Sequence, residues 1–198
     1  MRKIHAIILL AIVFCAAAVP AAQNADTAKD LLEKKISNVL EVLDRKELSD
    51  QEKRGKIEDI VDPVFNYELM AKLSLGPRHW SGLSSEQKEI FSKRFIKRLK
   101  DSYFDKISMY SADQDADFTY GTPAEKDGKV QVPVTVRAGD EKIEMIYKFY
   151  LSGNQWQIYD VELNGVSIVK SYRSQFNEVL SDGSVKDLLE ELKTSDEL

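Results

Sequence analysis

The chain has 198 residues and a formal net charge of −5, with 28 Lys and Arg against 33 Asp and Glu. This length, with 43% hydrophobic residues, is typical of one globular domain. Only two histidines and one cysteine, Cys15, are present. This composition excludes intrachain disulfides and the cysteine-rich class of zinc site, and it leaves little scope for histidine-dependent catalysis.

The start of the chain has the pattern of a secretory signal peptide. A short basic start precedes an apolar stretch over residues 4–19, and small residues typical of a cleavage site follow at Ala21 and Ala22. Cleavage near these alanines removes Cys15 and one histidine, and the net charge moves from −5 to −7 because two basic residues leave and no acid does. The bulky Phe14 before Cys15 disfavours a lipoprotein cleavage site, so we expect an exported protein without a lipid anchor.

Residues 26–110 are predicted to be helical. Apolar residues from Leu32 to Leu43 repeat with helical spacing. The Ser-x-x-Glu spacing at Ser49 indicates the start of a second helix. Pro63 suits the start of a third helix, which Gly76 and Pro77 should end.

The strongest helical pattern follows Ser84, which forms a second predicted capping box with Gln87. Its apolar residues recur every four positions and therefore share one face, whereas its lysines fall on the opposite face. The apolar face carries Phe91, Phe95, Leu99 and Tyr103, and the basic face carries Lys93, Lys97 and Lys100.

Residues 116–163 change to the alternating pattern of β-strands. The runs around Val130 to Val136, Ile143 to Leu151 and Gln155 to Leu163 are separated by glycine-containing turns. Pro133 lacks a backbone donor, so we expect its strand to lie at a sheet edge or to contain a bulge. The pattern predicts an antiparallel meander of about four strands.

Helical spacing returns over residues 166–192. We therefore expect a signal peptide over residues 1–22 and one α+β domain over residues 23–198. In this domain, helices pack on one face of a curved, roughly four-stranded antiparallel sheet. Periodicity alone does not distinguish a filled core from an apolar pocket between the two layers.

The polar residues offer few catalytic arrangements. His79 is predicted to lie in a loop between helices, without an evident partner for acid-base chemistry. Asp160 and Glu162 are two residues apart on a strand and so share a face, but a solvated strand end explains such a pair as well. No phosphate-binding loop, calcium loop or dinucleotide motif is present.

The lysine face has two interpretations. It is a solvated helix surface, or it is a surface for a lipid headgroup or an acidic partner, formed by Lys93, Lys97 and Lys100. Nucleic acid is not expected as a partner, because the chain is acidic and exported and the aromatic residues of this helix face away from its charges.

Two blocks of the sequence resemble the MlaC family, also called toluene-tolerance phospholipid-binding proteins. The first block is Leu75-Gly76 and Trp80, then Leu83, Gln87, Phe91, Phe95, Leu99 and Tyr103. The second is Tyr159-Asp160-Val161, then Gly165-Val166-Ser167, then Tyr172-Arg173-Ser174-Gln175-Phe176. The resemblance extends over nearly all of the expected mature chain.

The resemblance implies a periplasmic phospholipid carrier that is a monomer, has no cofactor and is not an enzyme. It would maintain outer-membrane lipid asymmetry by moving lipid between an outer-membrane lipoprotein complex and an inner-membrane ABC transporter with an MCE-domain subunit. Its cargo would be held by the acyl chains in an apolar pocket between sheet and helices.

The expected pocket combines apolar residues of the long helix, the strands and the C-terminal helix. These are Phe95, Leu99, Tyr103, Val132, Val134, Met145, Tyr147, Phe149, Tyr172 and Phe176. The sequence leaves open which strand face points inward, because Ile146 and Tyr150 are apolar residues on the other face of their strand.

Two other functions suit the same pattern. A small exported isomerase or dehydratase could have an apolar cavity in which a tyrosine and Asp160 polarise a carbonyl group. A periplasmic carrier of lipoproteins or outer-membrane proteins would also be exported and apolar inside.

Overall fold

The computed structural model describes residues 24–109 and 116–193, except for the side chains of residues 104–109. The predicted signal peptide and the last five residues lie outside these ranges. The helices of the described part are α1 (Ala25–Leu43), α2 (Asp50–Val61), α3 (Tyr67–Leu75), α4 (Pro77–Gly82), α5 (Ser85–Met109), α6 (Ile168–Asp182) and α7 (Val185–Glu191). The strands are β1 (Asp117–Tyr120), β2 (Ala124–Lys126), β3 (Lys129–Ala138), β4 (Glu141–Ser152), β5 (Gln155–Leu163) and β6 (Val166–Ser167).

Both predicted capping boxes are confirmed. At the start of α2, the Ser49 N–H donates to Glu52 Oε2 over 2.9 Å, and the Glu52 N–H donates to Ser49 Oγ over 3.3 Å. At the start of α5, Ser84 and Gln87 make the same reciprocal pair, at 2.9 and 3.1 Å. These bonds satisfy backbone donors that the first turn of a helix otherwise leaves without a partner.

The segment around Pro63 differs from the prediction. Pro63 lies in a short 3₁₀ turn, and α3 begins only at Tyr67, after Asn66 accepts a 2.8 Å hydrogen bond from the Leu69 N–H. The helix ends at Leu75 as predicted, where Gly76 has a φ of 83°. Pro77 then starts α4, because its fixed φ suits the first helical position. His79 therefore lies in a helix, and its predicted loop position is wrong.

The sheet is antiparallel, with the order β1-β3-β4-β5-β6, and β2 also pairs with β3. Within the described ranges it has six strands rather than four, because the two-residue β6 adds one strand and the segment before β3 forms two short ones. A bulge interrupts the pairing of β4 with β5 at Lys148 and Phe149. The α+β fold with helices on one face of an antiparallel sheet is confirmed.

Pro133 lies neither on an edge strand nor at a bulge, because β3 pairs with β4 on one side and with β1 and β2 on the other. It lies opposite the gap between the last pair of β1 and the first pair of β2. There the Pro133 carbonyl accepts a 2.9 Å hydrogen bond from the Gly121 N–H. A Cβ atom on Gly121 would be 3.1 Å from Pro133 Cβ, so glycine permits this close approach.

Two apolar cores hold the described part of the chain together. The main core lies between the sheet and the helices and includes residues of α1, α3, α5, α6 and α7. A smaller core joins the end of α1 to α2 through Val42, Leu43 and Ile57. Among the described residues, no helix has the length and apolar character needed to cross a membrane.

Candidate functional site

The strand register identifies the inner face of the sheet. In an antiparallel pair, residues directly opposite each other lie on the same face. The valines of β3 are buried and lie opposite alternate residues of β4. The opposed pairs on this face are Val130–Phe149, Val132–Tyr147, Val134–Met145 and Val136–Ile143. Ile146 and Tyr150 therefore lie on the outer face, which resolves the ambiguity in the sequence.

Burial along the inner face of β4 is uneven. Phe149 is 0% exposed, and its neighbour Ile158 on β5 is 1% exposed. Toward the other end of β4, Tyr147 and Met145 are only half-buried, as is Leu163, which lies opposite Met145. The apolar face is thus closed near Phe149 and partly open near Met145.

Two tyrosines give the open end some polar character. Tyr120 of β1 lies opposite Val134 on the inner face and is half-buried. The Tyr147 hydroxyl donates to the Met145 sulfur over 3.7 Å. Burial raises the pKa of Tyr147 to about 12, with a further contribution from Tyr120. A tyrosine is uncharged at neutral pH even at its ordinary pKa of about 10, and a neutral side chain suits contact with an apolar ligand.

The helical side of the core is an aromatic cluster between α5 and α6. The ring centroids of Phe95 and Tyr172 are 5.1 Å apart, and those of Phe91 and Phe176 are 5.5 Å apart, both in edge-to-face geometry. Phe91 and Phe95 stack at 6.0 Å. Aromatic pairs at these distances contribute attraction beyond the burial of their area.

The last two residues of the expected pocket extend this cluster along α5. Leu99 is buried and Tyr103 is half-buried. Burial raises the pKa of Tyr103, and nearby Tyr172 and Asp160 raise it further. All ten residues of the expected pocket lie in the main core or directly against it.

Asp160 belongs to a buried polar network at the junction of β5 and α6. It accepts hydrogen bonds from the Ser167 hydroxyl at 2.7 Å, the Val169 N–H at 3.2 Å and Lys148 Nζ at 3.1 Å. Lys148 also lies 3.2 Å from Glu162. Burial acts to lower the pKa of Lys148, but Asp160 and Glu162 outweigh this effect and raise it. With these bonds, Asp160 fixes the start of α6, and both of its oxygens are occupied.

The three predicted surface lysines differ in their surroundings. Lys97 pairs with Asp101 at 3.1 Å, and Lys100 pairs with Asp62 at 2.6 Å. Lys93 is exposed, and within the described part of the chain it has no ion pair. The three lysines line one open groove between α2 and α5, with a volume of about 520 Å³.

The contribution of α2 to this groove is not predicted from the sequence pattern. Arg54 of α2 forms ion pairs with Glu58 at 3.1 Å and, across the groove, with Asp101. The i,i+4 spacing of Arg54 and Glu58 is visible in the sequence. The pairing of Arg54 with Asp101, 47 residues later, cannot be read from the sequence, because it depends on how α2 and α5 pack.

Other basic residues of α5 have structural roles. Arg94 donates to the Leu189 carbonyl at 2.8 Å, and Arg98 donates to the Glu191 carbonyl at 3.1 Å. These carbonyls lie at the C-terminal end of α7, where a helix has free acceptors and a partial negative charge. The two arginines therefore fasten α7 to α5.

His79 is half-buried on α4, and its Nε2 atom lies 3.1 Å from the Asn177 side-chain oxygen on α6. Among the described residues, no group of three His, Cys, Asp or Glu side chains could hold a metal ion.

The chain resembles known proteins in both sequence and fold. The family model described as MlaC protein matches residues 33–194. The chain belongs to the MlaC family. A solved structure of a phospholipid-binding protein from Ralstonia solanacearum, in complex with a phospholipid, is similar to it in fold, with a TM-score of 0.73 at 23% sequence identity. The similarity covers 83% of this chain and 94% of that chain. No curated protein sequence matches the chain.

Proposed function

We propose that this member of the MlaC family is a periplasmic phospholipid carrier. The observation that supports this most directly is the inner face of the sheet, which is apolar, closed near Phe149 and partly open near Met145. The similar Ralstonia protein was solved with a phospholipid. A carrier needs an apolar space with an opening, and it needs no catalytic residue or cofactor.

The acyl chains would lie against the ten expected pocket residues, with the headgroup at the open end. Burial of each CH₂ group contributes about 0.8 kcal/mol. Ten buried methylenes would therefore contribute about 8 kcal/mol, before the losses of ligand and side-chain entropy are subtracted. We expect binding to depend on the chains more than on the headgroup.

As a monomeric shuttle, the protein would exchange lipid with an outer-membrane lipoprotein complex and an inner-membrane MCE-type ABC transporter, and so maintain outer-membrane lipid asymmetry. The predicted signal peptide, with cleavage near Ala21 or Ala22, supports export to the compartment between these complexes. Enzymatic use of Asp160 is not favoured, because Lys148, Ser167 and the Val169 N–H already bind its carboxylate.

Native mass spectrometry of the mature protein purified from periplasm, followed by solvent extraction, tests the proposal. We expect a stoichiometric phospholipid with mixed headgroups. A lipid-free protein that cannot be loaded from liposomes would contradict it, and a bound polypeptide would instead favour the carrier of lipoproteins or outer-membrane proteins.

Neighbouring residues of β4 supply a matched pair of variants. Met145 and Ile146 are both half-buried, but they lie on opposite faces of the sheet. Met145→Asp places a charge in the expected acyl path and should reduce lipid loading at least tenfold. Ile146→Asp carries the same charge on the outer face and should load like wild type.

A further inference from the structure

Among the described residues, one apolar and six charged residues line the groove between α2 and α5. Ile96 lines the groove and also packs against the main core. The charged residues of the lining are the bases Arg54, Lys93, Lys97 and Lys100 and the acids Glu58 and Asp101. The lining thus has two more positive than negative charges, and Asp62 beside Lys100 reduces this excess to one.

The basic residues of the groove differ in how many acidic side chains they contact. Asp101 binds both Arg54 and Lys97, and Lys100 lies 3.6 Å from Glu58 in addition to its pair with Asp62. Lys100 also lies 5.2 Å from the centre of the Tyr67 ring. These contacts hold three of the cations in place. The exposed Lys93 is left as the cation that an incoming anion can bind without displacing a carboxylate.

The local charge of the groove is opposite to that of the whole chain, which is −5. An acidic protein is repelled from an anionic membrane in most orientations, and a positive patch selects the orientation in which it can approach. The excess of positive charge at the groove is small, which favours weak and reversible contact. A shuttle that must leave the membrane again requires such contact.

We propose that the groove between α2 and α5 is the surface with which the protein contacts an anionic bilayer, with Lys93 binding a lipid phosphate. A phospholipid places its phosphate directly above its apolar chains, and Lys93 and Ile96 provide matching charged and apolar groups in one groove. An acidic segment without apolar side chains would pair with the lysines but would leave Ile96 without an apolar partner. The inference rests on the proposed function in one respect, that a carrier serving complexes embedded in two membranes works next to their bilayer surfaces.

Vesicle co-sedimentation of the mature protein tests this surface. The probes are vesicles of phosphatidylethanolamine with 30% phosphatidylglycerol, and vesicles of phosphatidylcholine alone. A basic residue near an anionic membrane surface contributes about 1 kcal/mol, so Lys93→Gln should weaken partitioning about fivefold and Lys93→Glu further. Lys126→Glu makes the same charge change at an exposed site on β2 and should bind like wild type.

Equal binding of wild type and Lys93→Glu to the anionic vesicles would overturn the inference, as would equal binding of wild type to both vesicle types. Either result would leave an acidic protein as the candidate partner of the groove. Lipid extraction of the same samples separates the two proposals. If Lys93→Glu carries phospholipid yet docks like wild type, the docking surface alone is wrong. If wild type carries no phospholipid and cannot be loaded, the proposed function is wrong whatever the vesicles show.

Discussion

Asp160 is the residue on which the junction between β5 and α6 depends. Removing its carboxylate would leave the partly buried ammonium of Lys148 with only Glu162, and the start of α6 with an unpaired donor. A buried donor left unpaired costs about 1–3 kcal/mol, and Lys148 keeps Glu162 as a partner. We expect Asp160→Ala to lower the free energy of unfolding by this amount in urea titrations. Glu162→Ala, which preserves the Lys148–Asp160 pair, should cost much less, and equal losses would contradict this account.

Two buried serines should respond oppositely to the same change. Ser74 is 0% exposed, and its hydroxyl has no hydrogen-bond partner among the described residues. Ser167 caps α6 by accepting from the Lys170 N–H at 3.1 Å, and it also donates to Asp160. Loss of a capping serine costs about 1 kcal/mol, whereas a buried unpaired hydroxyl is itself unfavourable.

Ser74→Ala should therefore leave the free energy of unfolding unchanged or raise it by up to about 1 kcal/mol. Ser167→Ala should lower it by about 1 kcal/mol or more. Urea unfolding of the two variants beside wild type provides the measurement. A marked loss of stability in Ser74→Ala would mean that its hydroxyl has a partner, such as an ordered water molecule.

At the scale of elements, α2 is joined to α5 by ion pairs that depend on pH. Burial acts to raise the pKa of Asp101, but hydrogen bonds from Arg54 and Lys97 outweigh it and lower the pKa below its ordinary value. A carboxyl group with a lowered folded-state pKa stabilises the fold above its unfolded pKa of about 3.9, and this contribution is lost as pH falls through the folded value.

Wild type should therefore have a higher melting temperature than Asp101→Asn at pH 7, and the difference should shrink as the pH falls below about 4. Thermal unfolding of both proteins across this range measures the effect, and 0.5 M salt should reduce the difference at pH 7. A difference that stays constant from pH 7 to pH 3 would mean that the charge of Asp101 does not join these helices.

The elements differ in how far the sequence alone predicts them. The starts of α2 and α5 were predictable because a capping box involves residues only three positions apart, such as Ser49 with Glu52. The position of Pro133 within the sheet was not predictable, because the gap between β1 and β2 depends on pairing between distant residues. The periodicity of the sequence identified the apolar residues expected to line the pocket. Which face of the sheet points toward the helices could be assigned only from the register of β3 against β4.

At the scale of the whole molecule, a bound lipid should stabilise the fold. A ligand that binds only the folded state adds about 2.7 kcal/mol at a free concentration one hundred times its Kd. We expect delipidated protein to melt at a lower temperature than the protein as purified, and reloading from liposomes to restore the difference. Met145→Asp should gain nothing from liposomes, and an identical melting temperature with and without lipid would argue against a ligand in the core.

The broken outer strands have a consequence for behaviour at high concentration. One lateral edge of the sheet is divided between β1 and β2, of four and three residues, and the other carries the two-residue β6 and a single bridge from Phe65 to Ile158. A long, flat edge strand is a template on which a second molecule can add its own strand and begin to aggregate. Strands β1, β2 and β6 have at most four residues each, and the Phe65 bridge at Ile158 interrupts the outer side of the nine-residue β5. Such a chain can keep a partly open apolar face and still resist edge-to-edge aggregation.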